Sequence, residues 1–203
     1  MKRLGAVLVG LVMVSSLVAC GKQPAEEINA TKAAVEAAAS EGAAKYVADD
    51  YKKVDEAMTA ALEEVKLQDS KMFKDYDKAK QLLAQAKTEG DALKAKAIAE
   101  KQRLQDQAGT DLATAQSAVA TAGELVANAP KGKGSAADIM AMKADVAGLE
   151  TALGEVQPMI DNGDYLAASE KAQAINDKAS ALSDEIKSVM AKLSTLKNKK
   201  NRV

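Results

Sequence analysis

The side chains that could carry catalysis in this chain are mainly carboxylates. Adjacent acidic residues occur as Glu26-Glu27, Asp49-Asp50 and Glu63-Glu64. Paired carboxylates can bind a divalent cation or act as the acid and the base of glycoside cleavage. Neighbouring positions on a helix point about 100° apart, however, and such pairs are typical of a solvated helix surface. The chain has no histidine, the commonest general base and zinc ligand. We therefore expect no catalytic residue, no metal site, no cofactor and no enzymatic activity.

The one residue with a clear chemical setting is Cys20, the only cysteine of the chain. The chain begins with a basic pair, Lys2-Arg3, and an apolar run over residues 4–14. That run is too short to cross a bilayer as a helix. Small and apolar residues then precede the cysteine in Leu17-Val18-Ala19-Cys20. This segment resembles the lipobox of bacterial lipoproteins. The resemblance implies that residues 1–19 are a signal peptide cleaved before Cys20, and that the Cys20 thiol carries a diacylglycerol with fatty acids such as palmitate.

Two other interpretations of the N-terminus remain: an ordinary signal peptide with an accidental cysteine, and an uncleaved anchor. A single thiol forms no disulfide within the chain, so acylation explains Cys20 best. Gly21 follows the cysteine. In the enterobacterial sorting rule, Asp at that position retains a lipoprotein at the inner membrane, so the resemblance implies the periplasmic face of the outer membrane. Residues 20–24 are then a lipid-anchored tether.

The rest of the chain has the pattern of an all-α protein. Apolar residues recur at spacings of three and four, and about a fifth of the residues are alanine. Aromatic residues make up 2% of the chain, too few for the core of a β-sandwich or an α/β domain. We predict an N-terminal helical region over residues 25–129. Asp49 or Asp50 is expected to cap its second helix, and glycines at 90 and 109 are places where its long third helix could kink. A Gly/Lys linker follows over residues 130–135.

The region 136–196 shows the most regular pattern. Apolar residues step three and four from Ile139 to Ile160 and again from Tyr165 to Leu196. Asn162-Gly163-Asp164 separates the two runs and supplies a helix stop followed by a new N-cap. Pro158 is expected to disturb the end of the first run. The pattern predicts an antiparallel helical hairpin with coiled-coil packing, and the whole chain is expected to form elongated hairpins or a bundle.

The two halves of the chain are similar to each other. The segment 61–65 (ALEEV) matches 152–156 (ALGEV), and each is followed by an Asp-Tyr pair, Asp75-Tyr76 or Asp164-Tyr165. Either a duplicated helix-turn-helix unit or convergence between alanine-rich helices accounts for this. The Gly-Ala-x-x-Tyr element at 42–46 and the Asp-Tyr-x-x-Ala element at 75–79 also resemble a family of small, α-helical, tetratricopeptide-like envelope lipoproteins of unknown function. That family brings no catalytic residues.

Two further features leave alternatives open. The five aromatic residues outside the signal peptide lie near expected helix junctions, where they either close the hairpin ends or line a binding cleft. The basic tail over residues 197–203 either complements the last helix dipole or makes weak contact with an anionic envelope polymer.

The sequence leaves two classes of function. A formal net charge of −1 disfavours nucleic-acid binding. The first class is a lipid-anchored structural spacer, scaffold or envelope-organising factor, anchored in membrane lipid through acylated Cys20 and able to self-associate. The second is an accessory module that presents a helical groove to a partner protein of the envelope. The apolar stripes of these helices are expected to pack against each other within the hairpins. Little apolar surface is then left for a partner, which favours the first class.

Overall fold

The structure, a computed structural model, describes residues 21–129 and 136–200, with the side chains given up to residue 195. The signal peptide, Cys20, the linker 130–135 and residues 201–203 of the basic tail lie outside the described residues. The described chain is helical and contains no β-strand, which confirms the predicted all-α class. Its helices, in chain order, are α1 (Ala25–Ser40), α2 (Ala43–Tyr46), α3 (Ala48–Asp69), α4 (Asp77–Ala127), α5 (Ala136–Gly154), α6 (Val156–Asp161) and α7 (Tyr165–Lys200).

A glycine turn ends α1 and starts α2. Gly42 has a φ of 86°, in the left-handed region that suits glycine, and its N–H donates to the Ala39 carbonyl at 2.9 Å. A Cβ at Gly42 would lie 2.7 Å from the ring of Tyr46. Ala43, between them, is fully buried. The Gly-Ala-x-x-Tyr element therefore has a packing role: the tyrosine ring covers a backbone that has no side chain.

The structure corrects the predicted capping of the helix after this turn by Asp49 or Asp50. α3 begins at Ala48, the N-cap position is Val47, and no side chain caps it. Both aspartates lie inside the first turn instead. Negative side chains in a first turn interact favourably with the partial positive charge of the helix N-terminus.

The long helix α4 continues without interruption through Gly90, Gly109 and Gly123. Gly90 is required by close packing, because a Cβ there would lie 3.2 Å from the Cβ of Ala34 in α1. Gly109 has no such neighbour, since a Cβ would meet nothing within 4 Å. Gly90 and Gly109 lie in the same helix, yet of these two only Gly90 lets another helix approach closely.

Tertiary contacts divide the chain into two compact units, and the boundary lies inside α4, between Lys101 and Gln102. In unit 1, helices α1, α2 and α3 pack on the first part of α4. One cluster centres on Val35, Val54 and Leu93, and another on Met58, Val65 and Leu83. The buried Thr31 hydroxyl lies within hydrogen-bond distance of the carbonyl oxygens of Glu27 in α1 (2.8 Å) and Leu83 in α4 (3.0 Å).

Unit 2 contains the second part of α4 with α5, α6 and α7. The residues predicted to form its seams are largely buried; they include Ile139, Met142, Val146, Leu149, Val156, Tyr165, Ile175, Leu182 and Ile186. This agrees with the predicted antiparallel hairpin. At the α4–α5 contact, a Cβ added to Gly123 would lie 3.7 Å from a methyl group of Val146.

The hairpin of unit 2 has a break and a turn, each with a local cause. The break between α5 and α6 falls at Glu155. Pro158 has no N–H to donate to the carbonyl of Gly154, the residue four positions earlier, so the helix loses a hydrogen bond at that place. The turn follows α6. Gly163 has a φ of 77°, its N–H donates to Ile160, and the N–H of Asp164 donates to Met159, as in a Schellman motif.

Candidate functional site

The connection between α3 and α4, residues 70–76, is the longest described turn within unit 1, and we call it the 70–76 turn. Backbone bonds begin it, from Ser70 to Lys66 and from Lys71 to Gln68. Asp75 ends it: its carboxylate accepts the N–H of Asp77 at 3.0 Å. The carbonyl of Tyr76 then accepts the N–H of Lys80, the first bond of α4. Aspartate forms such a local turn readily, which explains its position before the helix.

A buried polar group joins the two helices beside this turn. Glu64 in α3 is only 8% exposed. Its carboxylate accepts a hydrogen bond from Lys78 of α4 at 2.7 Å and another from Gln68 at 2.8 Å. The Lys78 ammonium, followed by the Gln68 amide, holds the pKa of Glu64 below its ordinary value. The carboxylate therefore stays charged and fixes α3 against α4.

A second polar group lies at the turn itself. Tyr76 is 4% exposed, and its hydroxyl donates to the Asp69 carboxylate. That hydrogen bond, with burial, raises the pKa of Tyr76 above its ordinary value, because loss of the proton would set two negative charges side by side. Lys74 also lies 4.0 Å from Asp69. The tyrosine thus closes the end of the hairpin.

The start of the described chain packs against the same turn. Gln23 donates from Nε2 to the Asp69 carboxylate at 3.0 Å, across 46 positions of sequence. Pro24 is buried, and α1 begins directly after it. Gly21 borders one open recess together with Met72, Phe73 and Lys74. The last residues of the predicted tether, 23 and 24, are therefore fixed to unit 1.

Met72 and Phe73 are the most exposed large apolar side chains of the described part, at 91% and 88%. The other aromatic residues make internal contacts. Tyr46 covers Gly42, Tyr51 packs on the Val54 cluster, and the buried Tyr165 lies with its hydroxyl 3.5 Å from the Gln105 side chain. The tyrosines thus pack inside the units, as expected of aromatic residues near helix junctions. The same expectation is wrong for Phe73, which is exposed.

The three acidic pairs lie on helix surfaces, and two of them contribute to the contact between α3 and α4. Glu26-Glu27 is exposed in the first turn of α1. Asp50 accepts hydrogen bonds from Lys96 of α4 and from Lys53, and these cations, Lys96 first, lower its pKa. Glu64 does the same near the other end of α3, as described above. Within the described residues, no cluster of three or more acidic, cysteine or histidine side chains is arranged to hold a metal ion.

Unit 2 has its own polar contact and its own groove. Burial raises the pKa of the Asp111 carboxyl, but hydrogen bonds from Ser169, Gln173 and Gln107 lower it more, so its pKa lies below the ordinary value. This contact joins α4 to α7. A groove of about 600 Å³ runs between α5 and α7. Its lining includes Leu149, Ile175 and Leu182, which are at most 9% exposed, and alanines between charged side chains.

No known protein family model matches this chain. No curated protein and no solved structure is similar to it at a significant level either. The resemblances to a lipobox and to a family of helical envelope lipoproteins therefore stay predictions. Among the described helices, none combines the length and the apolar character that crossing a membrane requires.

The polar groups at the 70–76 turn have only a weak signature in the sequence. Glu64 and Gln68 are four positions apart, a spacing that favours a side-chain bond on any helix. That spacing does not indicate that Glu64 is buried, or that it bonds to Lys78 fourteen residues later. The exposure of Met72 and Phe73 has a clearer signal that the sequence prediction missed: these two large apolar residues lie between two lysines, just before the Asp75-Tyr76 pair.

Proposed function

We propose that this chain is a lipid-anchored helical spacer or scaffold of the bacterial envelope, held at the periplasmic face of the outer membrane by acylated Cys20. The observation that carries the proposal is the combination of the Leu17–Cys20 motif with helices whose apolar seams are covered within each unit. Acyl chains supply stable membrane binding when two or more are attached. The helices supply a folded body whose buried residues pack against each other within each unit.

The internal use of the seams supports a structural role. Leu83, Val156 and Ile186 are at most 1% exposed, and alanines fill the close contacts between helices. A module that binds a partner through an apolar groove keeps large apolar side chains accessible there. In the described part, large exposed apolar residues are few and mostly single, as is normal for a protein surface.

An accessory binding module is the second candidate, and the groove between α5 and α7 favours it. The groove is lined by residues between 144 and 152 of α5 and between 171 and 185 of α7. Its floor residues are already packed, and so the accessible part consists mainly of alanine side chains and of charged residues such as Lys171 and Lys178. Such a surface suits a helix with small residues on its contact face.

Acylation is tested on the full chain by metabolic labelling with palmitate and by intact mass. The wild type should incorporate label and lose residues 1–19, whereas Cys20→Ser should remain unlabelled and unprocessed. Ser16→Ala, just outside the Leu17–Cys20 motif, serves as the control and should behave as the wild type. A free Cys20 thiol in wild-type protein from the envelope would reject the proposal.

A photo-crosslinking residue separates the spacer from the binding module. Placed at Ala174 it lies in the α5–α7 groove, and placed at Asp177 it lies on the exposed surface of α7 outside the groove. A spacer should give the same adduct pattern at both positions. A discrete adduct formed from position 174 and absent from position 177 would favour the binding module.

A further inference from the structure

Met72 and Phe73 form an apolar tip that the fold of unit 1 does not use. Their exposure of 91% and 88% leaves both side chains nearly as accessible as in an extended chain. The hairpin is closed by other groups: Tyr76 with Asp69, and Glu64 with Lys78. An exposed pair of large apolar residues at the end of a helical hairpin therefore indicates an interaction outside the folded body.

The apolar tip lies beside the start of the described chain. Gly21 borders the same recess as Met72 and Phe73, and the Gln23–Asp69 hydrogen bond holds the following residues at the turn. Cys20 directly precedes Gly21 in the sequence. A cysteine acylated at that position would bring the bilayer surface to the apolar tip.

The polar groups around the tip are compatible with a lipid surface. Lys71 and Lys74 flank the apolar pair, and long basic side chains can keep their charges among lipid headgroups while their stems lie along apolar surface. The carboxylates of the turn already have internal partners: Asp69 accepts from Tyr76 and Gln23, and Asp75 accepts from the backbone of Asp77. Met72 and Phe73 take no part in these hydrogen bonds.

We propose that Met72 and Phe73 insert into the interfacial region of the phospholipid bilayer that holds the acyl chains of Cys20. The contact is a second attachment beside the covalent one, and it makes the 70–76 turn the end of unit 1 that faces the membrane. Apolar side chains at the boundary between headgroups and acyl chains are a common means of interfacial binding. The inference rests on the proposed acylation, because the anchor is what brings the bilayer to the turn.

The chain has no tryptophan, so a single introduced indole reports on one position. The experiment uses the full chain, processed in cells, as Phe73→Trp and as the control Ile98→Trp. Ile98 is also exposed in unit 1, at 46%, and lies about 30 Å along α4 from the helix start. Both acylated proteins are reconstituted into phosphatidylcholine vesicles with and without brominated acyl chains. Their thermal unfolding should match that of the wild type, because both positions are exposed.

The expected result for Phe73→Trp is a shift of the indole emission to shorter wavelength on vesicle binding, with quenching by brominated lipid. Neither change is expected for Ile98→Trp. Equal quenching of the two variants, or quenching of neither in protein that floats with the vesicles, would overturn the inference while leaving the anchor in place. That second outcome would point to a protein partner for the tip. Protein without the acyl mass that fails to float would instead reject the proposed function, on which the inference depends.

Discussion

The two units close their hairpins in different ways. In unit 2, the turn at 162–164 joins α6 to α7 with three residues, a left-handed Gly163 and two backbone hydrogen bonds to α6. In unit 1, the 70–76 turn joins α3 to α4 with seven residues. Both turns lead into a helix through an Asp-Tyr pair whose tyrosine is buried, Tyr76 or Tyr165. The shared part is therefore the tyrosine closure, and the difference is the extra chain before it.

The extra residues of unit 1 do not improve packing. Three residues suffice to reverse the chain in unit 2, whereas the longer turn adds Met72 and Phe73 and leaves both exposed. The longer turn also lies beside Gly21, and Gln23 bonds to the residue just before it. Loops are the parts of a fold that most often carry function, since they are free of the packing constraints of the core. We therefore attribute the stability of both hairpin ends to the buried tyrosines. We attribute the proposed membrane contact to the extra residues of the 70–76 turn.

The largest expected effect is the loss of stability when a buried leucine is truncated in either unit. Leu83→Ala in unit 1 and Leu182→Ala in unit 2 should each lower the free energy of unfolding by about 2–5 kcal/mol, since each removes a buried side chain and leaves a cavity. Urea unfolding followed by far-UV circular dichroism measures the loss. Leu166→Ala, at a position 54% exposed on α7, should change stability by no more than about 0.5 kcal/mol. A neutral Leu182→Ala would show that the seam of unit 2 is not a core.

A smaller effect, of opposite sign in the two units, is expected at Gly90 and Gly109 of α4. Gly109→Ala in unit 2 should raise the free energy of unfolding by about 1 kcal/mol, because alanine favours the helix and its Cβ meets no other atom. Gly90→Ala in unit 1 should lower it by about 1–3 kcal/mol, because its Cβ would press on Ala34. The same urea titration measures both. Stabilisation by both substitutions would contradict the close approach of α1 to α4.

The smallest expected effect is the pH dependence that Glu64 contributes to the stability of unit 1. Because its folded pKa is lowered, Glu64 stabilises the fold above about 4.3, the ordinary pKa of glutamate, and this contribution is lost as the pH falls through the folded pKa. Glu64→Gln should therefore unfold at a lower temperature than the wild type at neutral pH, and the difference should shrink in acid. Thermal melts across that range measure it.

Glu155→Gln is the matched control for that prediction. Glu155 occupies the corresponding position of the repeated segment in unit 2 and accepts a hydrogen bond from Lys171, but its side chain is 62% exposed. Exposed ion pairs contribute little to stability. The control should melt as the wild type does at every pH. A difference between Glu64→Gln and the wild type that stays constant into acid would show that charge is not the cause.

Local signals in the sequence predicted the helices and several of their ends. The spacing of apolar residues predicted α3, α4, α5 and α7, because each helix must turn one stripe toward its neighbours. Asn162-Gly163-Asp164 predicted the stop after α6, since only a residue tolerant of positive φ fits there. The prediction of an aspartate N-cap for α3 was wrong, because residue preference alone does not set the register of a helix start. Helix α3 starts at Ala48, so Val47 occupies the N-cap position and both aspartates lie in the first turn.

The all-α class and the turn at 162–164 followed from the amino-acid sequence, and the acylation of Cys20 stays a prediction made from it. They depend on residues within a few turns of each other or on a short motif. Tertiary packing was needed to learn that Gly90 of α4 lets α1 approach, that Glu64 is buried, and that the unit boundary lies inside α4. It also brings Gly21 beside Met72 and Phe73. Several of these facts join segments that are distant in sequence, and no local pattern encodes such a contact, because it depends on how whole helices pack.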